Sequence, residues 1–213
     1  MRYHELFEDR QFSSAFRTWF HGSKVVDDKG EPLLVYHGTP RGFDEFDHKT
    51  IGTGNDAYGA GIYFTVNPTI ASGYSDNNKP DENPNVRPCY LAIKKPLIVS
   101  DKGEAGKDLP PAITKKLILM APDYRETLTN FGDVDYEGEA RVLAEAVRAY
   151  NGQDYLRGLN MIANDFYHSD TAMFLRNCMK VTPYDGVIVP YHDFYVVWSS
   201  DQVMSYFDQR TMT

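Results

Sequence analysis

The chain has 213 residues, of which 42% are hydrophobic, and its 22 Lys and Arg against 30 Asp and Glu give a formal net charge of −8. This length and apolar content predict one globular domain with its own core and exclude disorder for most of the chain. The acidic balance gives no general attraction to phosphate backbones or anionic lipid, so it disfavours a protein that coats DNA or RNA irrespective of sequence.

Cysteine and histidine usage gives no sign of a metal centre. The two cysteines, Cys89 and Cys178, have no Cys-x-x-Cys partner, so we expect buried, reduced thiols and neither a disulfide nor a zinc cluster. The six histidines have no metal-ligand spacing. Charges interrupt the first ten residues, and no apolar run approaches the roughly 20 residues of a membrane span. We therefore expect a cytoplasmic protein without a metal ion or a membrane contact.

Short helices and strands are predicted in the N-terminal half. Aromatic residues at helical spacing after Ser13 predict a short helix, which lies in an N-terminal helical extension over 1–24. The apolar run 32–36 predicts a buried strand that ends at His37. A glycine-rich loop leads to a second apolar run and then to a helix that starts at Asn67, because Asn is a favoured cap and the Pro after it suits the first helical position.

The rest of the chain has a different sequence pattern, with a proline-rich loop followed by a long segment of helical periodicity. Prolines predict an irregular loop over 76–88, and a strand is expected over 89–93. Apolar residues at three-to-four spacing then predict helices within the segment 101–182. Two apolar runs, 185–189 and 194–198, predict the last strands. The predicted helices cover 111–120, 137–150, 154–167 and 171–179.

Four short motifs occur in a fixed order. They are Leu33-Leu34-Val35-Tyr36-His37-Gly38-Thr39, Gly59-Ala60-Gly61-Ile62-Tyr63-Phe64-Thr65, Ala71-Ser72-Gly73-Tyr74, and Phe194-Tyr195-Val196-Val197-Trp198 followed by Gln202-Val203. This order resembles the ADP-ribosyltransferase family in its His-Tyr branch, which includes diphtheria toxin and the poly-ADP-ribose polymerases. It is most similar to the small domains carried in phage and mobile-element polyvalent proteins. The resemblance implies an α+β fold of split antiparallel β-sheets with an NAD groove between them. It implies one domain over 1–213, in which 101–182 is a helical insertion.

The resemblance also implies which residues hold NAD. In the family, the His of a His-Gly-Thr/Ser motif bonds the adenine-side ribose and the Gly backbone bonds the nicotinamide carboxamide. These positions correspond to His37 and Gly38. Oxidised nicotinamide is a flat cation, so we expect Tyr63 and Tyr74, eleven residues apart, to stack on its two sides.

Four further residues are expected to contact NAD. Arg41 is a candidate partner for a phosphate, and a surface ion pair with its acidic neighbours is the alternative. Gly61 leaves room for a close approach of the backbone to the dinucleotide. Thr39 and Ser72 belong to the first and third motifs.

A second His-Gly-Ser sequence occurs at His21. It follows a predicted helix and lacks a preceding apolar strand. A His and a Gly are both favourable at a helix C-terminus, so we assign His21 to the end of that helix.

The sequence departs from the family at its last motif. There the family has a Glu that opens the last strand, eight residues before a Gln-Val pair, and Phe194 stands in its place. Asp193 is one residue earlier, and strand alternation points it away from the pocket unless a bulge re-aims it. The family serine that contacts the carboxamide falls at Ala71, one position before Ser72. The expected catalytic residues are His37, Tyr63, Asp193 and Phe194.

The sequence therefore favours transfer of a single ADP-ribosyl unit from NAD to a macromolecular acceptor, either protein or nucleic acid. Polymer elongation in the resembling enzymes depends on the missing Glu, so poly-ADP-ribosylation is not expected. The resemblance implies an effector- or toxin-like enzyme encoded by a phage, with a regulatory or antitoxin partner.

Alternatives to a protein-directed transferase stay open. One is a silent pseudoenzyme that binds NAD and acts as an interaction module. Another is a transferase directed at nucleic acid. A third is a groove for single-stranded nucleic acid, in which C-terminal tyrosines stack on bases. The alternative role for these tyrosines is packing in the core and on the surface. The tyrosines are Tyr184, Tyr191, Tyr195 and Tyr206.

Overall fold

The computed structural model describes residues 12–40, 46, 57–75, 85–100, 108–133, 138–168 and 170–208. The strands in these ranges are β1 Val35–Thr39, β2 Ile62–Thr65, β3 Asn85–Leu91, β4 Pro96–Ile98, β5 Gly186–Val189, β6 Phe194–Val197 and β7 Val203–Ser205. The α-helices are α1 Ser14–Phe20, α2 Pro68–Ser75, α3 Pro111–Leu119, α4 Tyr124–Leu128, α5 Glu139–Tyr150, α6 Tyr155–Tyr167 and α7 Thr171–Val181. No helix among the described residues is long and apolar enough to cross a membrane.

Side-chain caps start the helices where the sequence predicts. Ser13 caps α1 by accepting a hydrogen bond from the backbone N–H of Phe16. The Asn67 side chain caps α2, and the Asp154 side chain caps α6 in the same way. The five-residue helix α4 was not predicted, because one turn is too short to show an apolar period.

The strands form one sheet in the order β4-β5-β6-β2-β1-β3-β7. β1 and β3 pair over five residues, whereas β1 and β2 share a single residue pair, Tyr36 with Thr65. The sheet therefore comes close to dividing between β1 and β2, into a half with β4, β5, β6 and β2 and a half with β1, β3 and β7.

The α+β class is confirmed, and the expectation of two separate antiparallel sheets needs correction. The bridge between Tyr36 and Thr65 keeps the two halves in one hydrogen-bonded sheet. The sheet is also mixed, because β4 and β5 run parallel. Parallel neighbours need a long crossover, and the chain between β4 and β5 supplies it with the helices α3 to α7.

Two strand boundaries differ from the prediction and bear on the site. β1 starts at Val35 and continues to Thr39, so His37 lies inside the strand and not after it. β3 starts at Asn85, within the predicted irregular loop, because it pairs with β1 from Asn85 opposite Thr39 onward.

The helices α3 to α7 share a hydrophobic core with the sheet. Leu117, Ile162 and Phe174 of these helices are at most 2% exposed and belong to the same cluster of buried side chains as Val187 and Val196 of the sheet. A smaller aromatic cluster packs α1 against β3 and β7. Its buried members are Phe16, Phe20, Tyr90 and Met204. The sheet thus packs against the helices α3 to α7 through the larger cluster and against α1 through the smaller one.

Candidate functional site

His37 and Tyr63 face each other across the narrow junction of the sheet. The Nδ1 atom of His37 lies 2.8 Å from the backbone carbonyl oxygen of Tyr63. A carbonyl oxygen only accepts hydrogen bonds, so Nδ1 carries the hydrogen and donates it. This contact spans the place where the β1–β2 ladder has one residue pair, and it brings two of the predicted site residues together.

The His37 ring packs against two phenylalanine rings, which also contact each other. The ring centroids of Phe46 and Phe64 are 5.2 Å and 5.4 Å from that of His37. Burial lowers the pKa of His37, the hydrogen bond to Tyr63 raises it, and the Arg87 guanidinium lowers it further. Arg87 is the residue opposite His37 in the β1–β3 ladder. The net lowering favours a neutral imidazole, in which Nε2 bears the lone pair because Nδ1 bears the hydrogen.

Gly38 is required by the approach of α2 to β1. A Cβ atom at Gly38 would lie 1.7 Å from the backbone carbonyl oxygen of Ala71. Ala71 is buried on the inner face of α2, while Ser72 and Tyr74 are exposed. The close contact sets α2, and with it Tyr74, beside the strand that carries His37. Thr39 is buried at the end of the same strand.

The two tyrosines expected to hold nicotinamide differ in how firmly their side chains are held. The Tyr63 hydroxyl donates a hydrogen bond to the Gly59 carbonyl oxygen and accepts one from the Tyr58 backbone N–H, at 2.9 Å. The φ angle of Gly59 is +88°, a value that favours glycine. Tyr74 is 58% exposed. One ring is therefore fixed by the loop before β2, and the other stands on the open side of α2.

Gly61 has a packing reason that the sequence does not reveal. A Cβ atom there would lie 2.4 Å from Cγ1 of Val196 and 2.8 Å from the carbonyl oxygen of Val197. The space left at Gly61 is thus taken up by β6. Arg41, the expected phosphate partner, lies outside the described residues.

Phe194 and Asp193 stand where β6 begins. Phe194 is the first residue of the strand and pairs with Thr65 of β2. Asp193 directly follows the short 3₁₀ helix Pro190–His192. It has a left-handed backbone with a φ of 53°, and it is exposed. Burial, followed by the Asp193 carboxylate, raises the pKa of Tyr195. Tyr195 alternates with Phe194 along the strand, so these two side chains lie on opposite faces of the sheet.

A cluster of rings around Phe194 was not expected from the sequence. It consists of Tyr58, Tyr191, His192 and Phe194, and we call it the Phe194 ring cluster. The ring centroid of Tyr58 is 6.2 Å from that of Phe194 and 6.3 Å from that of His192. Burial and then a hydrogen bond with Tyr191 raise the pKa of the Tyr58 hydroxyl to about 12, and Tyr74 adds to the rise. Tyr58, Tyr191 and His192 belong to none of the four motifs, so only the fold brings them to Phe194.

Gln202, in the Gln-Val pair, has a structural role. Its Oε1 atom accepts hydrogen bonds from the backbone N–H groups of Trp198 and Ser199, both at 3.0 Å. Its Nε2 atom donates to the carbonyl oxygens of Asp185, at 2.8 Å, and Ala92, at 3.3 Å. Gln202 therefore ties together the ends of β3 and β6 and the start of β5, which fixes the strand that Phe194 opens.

The other candidates lie apart from this site. His21 is exposed at the C-terminal cap of α1, and Gly22 after it has a φ of +82°, so their assignment to a helix end is confirmed. Tyr184 packs edge-on against Tyr155, and Tyr206 packs beside Tyr90. Both cysteines are buried, and burial raises the pKa of each thiol.

The helices between β4 and β5 support the loop that holds Tyr63. A Cβ atom at Gly59 would lie 3.6 Å from Oδ1 of Asn160 and 3.7 Å from Cδ2 of Leu156, both on α6. Leu159 of α6 also lines the gap between that helix and the loop. Changes in this part of the chain therefore reach the candidate site through packing.

Comparisons with known proteins give one match. A family model described as ADP-Ribosyltransferase in polyvalent proteins matches residues 27–212. No curated protein and no solved structure matches the chain. Within the part of the chain that the structure describes, no group of three His, Cys, Asp or Glu side chains is arranged to hold a metal ion.

Proposed function

The chain belongs to the family of ADP-ribosyltransferases in polyvalent proteins, and on this premise we propose that it transfers a single ADP-ribosyl unit from NAD to a macromolecular acceptor. The observation that carries the proposal is the hydrogen bond between His37 and Tyr63. It joins the first and second motifs of the His-Tyr branch at the narrow junction of the sheet. The family match alone does not decide between branches, so the assignment to this branch is part of the proposal.

The proposed NAD contacts follow from the geometry around this hydrogen bond. Because the neutral His37 ring donates from Nδ1, its Nε2 lone pair suits a ribose hydroxyl, which is a donor. The Gly38 backbone binds the carboxamide at the point where α2 comes closest to β1. Tyr63 supplies a fixed face for the nicotinamide ring, and Tyr74 supplies a face on the open side of α2. Ser72, Thr39 and Arg41 complete the proposed set.

The proposed chemistry is displacement of nicotinamide at the ribose carbon. The glycosidic bond breaks as the acceptor approaches, and positive charge develops on the ribose. A Glu at the position of Phe194 would bond the ribose, and Phe194 offers only packing. Catalysis then depends on holding NAD and the acceptor in line, which orientation alone accelerates strongly. A single transfer fits this site, because elongation of a polymer needs the carboxylate that Phe194 replaces.

A second candidate is a silent NAD-binding module. One observation favours it, namely the apolar side chain at Phe194. The groove for single-stranded nucleic acid is less favoured, because Tyr184, Tyr195 and Tyr206 are partly buried and Tyr191, at 46%, is the most exposed ring of the four. The proposal also includes a protein or nucleic acid as the acceptor. It further includes a cytoplasmic role as a phage-encoded effector or toxin with an antitoxin partner.

The test is an assay of nicotinamide release and of label transfer. The purified chain is incubated with NAD carrying a label on its adenosine part, first alone and then with a bacterial lysate. Nicotinamide release together with labelled macromolecules identified by mass spectrometry would support the proposed transfer. NAD binding in calorimetry without release or labelling would support the silent module, and absence of NAD binding would overturn both.

A further inference from the structure

The Phe194 ring cluster places an imidazole beside Phe194, the residue that stands in place of the family Glu. The ring centroids of Tyr58, His192 and Phe194 form a nearly equilateral triangle, with separations of 6.2 Å, 6.3 Å and 6.3 Å. His192 ends the 3₁₀ turn that leads into β6, and its side chain is exposed. The imidazole is therefore both next to Phe194 and reachable from solvent.

Backbone contacts connect this triangle to the expected nicotinamide site. The backbone N–H of Tyr58 donates to the Tyr63 hydroxyl, so the Tyr58 ring and the Tyr63 ring belong to one short, hydrogen-bonded loop. Tyr191 and His192 are in ring contact at 4.4 Å, and the Tyr58 ring pairs with those of His192 and Phe194. The loop before β2 and the turn before β6 therefore pack against each other through these rings.

We propose that His192 is the proton acceptor of the transfer reaction. The inference rests on the proposed function, because it assigns a further catalytic residue to that reaction. In the described chain, His37 donates its Nδ1 hydrogen to Tyr63, and His192 is the imidazole in ring contact with Phe194. Histidine is also the side chain that most often acts as a general base in enzymes.

The step balances without a further reactant. The heteroatom of the acceptor forms a bond to the ribose carbon, and the bond from that carbon to the nicotinamide nitrogen breaks. Nicotinamide leaves as a neutral molecule with the bonding electron pair, which cancels the positive charge of its ring. The proton of the acceptor heteroatom moves to the His192 imidazole and then to water.

Asp193 lies between His192 and Phe194, and its backbone is left-handed with a φ of 53°. His192 contacts Phe194 directly through its ring, which makes it the better placed of the two neighbours.

The decisive variant is His192→Phe, because it keeps a ring against Tyr58 and Phe194 and removes the proton acceptor. The matched control is His21→Phe, at the exposed end of α1. We expect His192→Phe to bind NAD in calorimetry as the wild type does and to label lysate proteins about 100-fold more slowly, the lower end of the usual effect of a general base. We expect His21→Phe to match the wild type, and free imidazole to restore part of the labelling by His192→Ala.

The outcomes separate this inference from the function on which it rests. Equal labelling rates for the wild type and His192→Phe would overturn the inference and leave the transferase intact. The same holds for a fall in NAD affinity that accounts for the whole loss of labelling by His192→Phe. A wild-type chain that labels nothing in any lysate would overturn the proposed transfer and the assignment of His192 with it.

Discussion

The imidazole of His37 and the backbone of Tyr63 are joined by a hydrogen bond of 2.8 Å across the junction of β1 and β2. At this junction the two strands share one residue pair, so the side-chain bond supplements a ladder that is nearly open. The same bond fixes the tautomer of His37 and connects β1 to the backbone of Tyr63 in β2. The Tyr63 side chain is in turn held by a hydrogen bond to Gly59 in the preceding loop. The hydrogen bond thus links the two halves of the sheet at the place where each half contributes a proposed cofactor-binding residue.

Replacement of Tyr63 is expected to weaken NAD binding through loss of one stacking face. An aromatic pair contributes about 1 kcal/mol beyond area burial, so Tyr63→Ala should raise the dissociation constant for NAD by roughly fivefold or more. Tyr63→Phe keeps the ring and removes the bonds to Gly59 and Tyr58, and it should bind NAD more tightly than Tyr63→Ala. Calorimetric titration measures both. Equal affinity of the wild type and Tyr63→Ala would refute the stacking role.

The two His-Gly sequences are expected to differ in function. His37→Ala removes both the bond to Tyr63 and the proposed ribose contact, so nicotinamide release should fall strongly. His21→Ala alters an exposed helix cap and should leave the rate unchanged. A steady-state assay of nicotinamide release compares the two variants. The reverse result would show that the site had been assigned to the wrong motif.

The lowered pKa of His37 predicts how stability changes with pH. The unfolded chain binds a proton at His37 near its ordinary value of 6.5, whereas the folded chain resists this, mainly because of burial. The contribution of His37 to the free energy of unfolding is therefore present in full above about pH 6.5, and it is lost as the pH falls from that value through the lowered pKa of the folded chain.

Denaturant titrations at several pH values isolate this contribution. His37→Gln lacks the titrating ring, so its free energy of unfolding should decrease less than that of the wild type as the pH falls below 6.5. His21→Ala is the control and should keep the wild-type slope. Identical slopes for His37→Gln and the wild type would show that His37 is not protonated less readily in the folded chain.

Several features of the fold and site could be predicted because they depend on local chemistry. Ser13 and Asn67 indicate where helices start, because each side chain accepts a hydrogen bond from a nearby backbone N–H. The Phe194 ring cluster could not be predicted, because Tyr58 and His192 meet only through the pairing of β2 with β6. The packing reason for Gly61 was likewise hidden, because the side chain it avoids comes from Val196, far along the chain.

The helices within 101–182 are expected to be indispensable to the fold. Their buried side chains share one core with the sheet, so replacement of residues 104–180 by a short Gly/Ser linker should expose that core and give an aggregated or molten product. Leu159→Ala is a milder change beside the loop that holds Tyr63 and should lower the free energy of unfolding by about 2–5 kcal/mol. Circular dichroism, dye binding and chemical unfolding measure these effects. A linker variant that stays folded and binds NAD would show that the helices are an independent addition.

The last prediction concerns the residues that open β6, because they distinguish an active transferase from a silent NAD-binding module. Phe194→Leu keeps an apolar group, so the labelling activity of an active transferase should survive it. Asp193→Asn removes an exposed charge, and it should leave the labelling rate within about twofold of the wild type.

Phe194→Glu is the informative change for either case, because it puts a carboxylate at the start of β6, opposite Thr65 and next to the rings of Tyr58 and His192. A negative charge there would stabilise the cation that develops on the ribose, so NAD hydrolysis should rise, by about 100-fold if the effect matches that of one well-placed electrostatic group. Nicotinamide release by Phe194→Glu and by Phe194→Gln, which has the same shape without the charge, measures it. Labelling by the wild type that is lost in His37→Ala would support the enzyme, whereas activity that appears only in Phe194→Glu would show that the natural chain is a silent NAD-binding module.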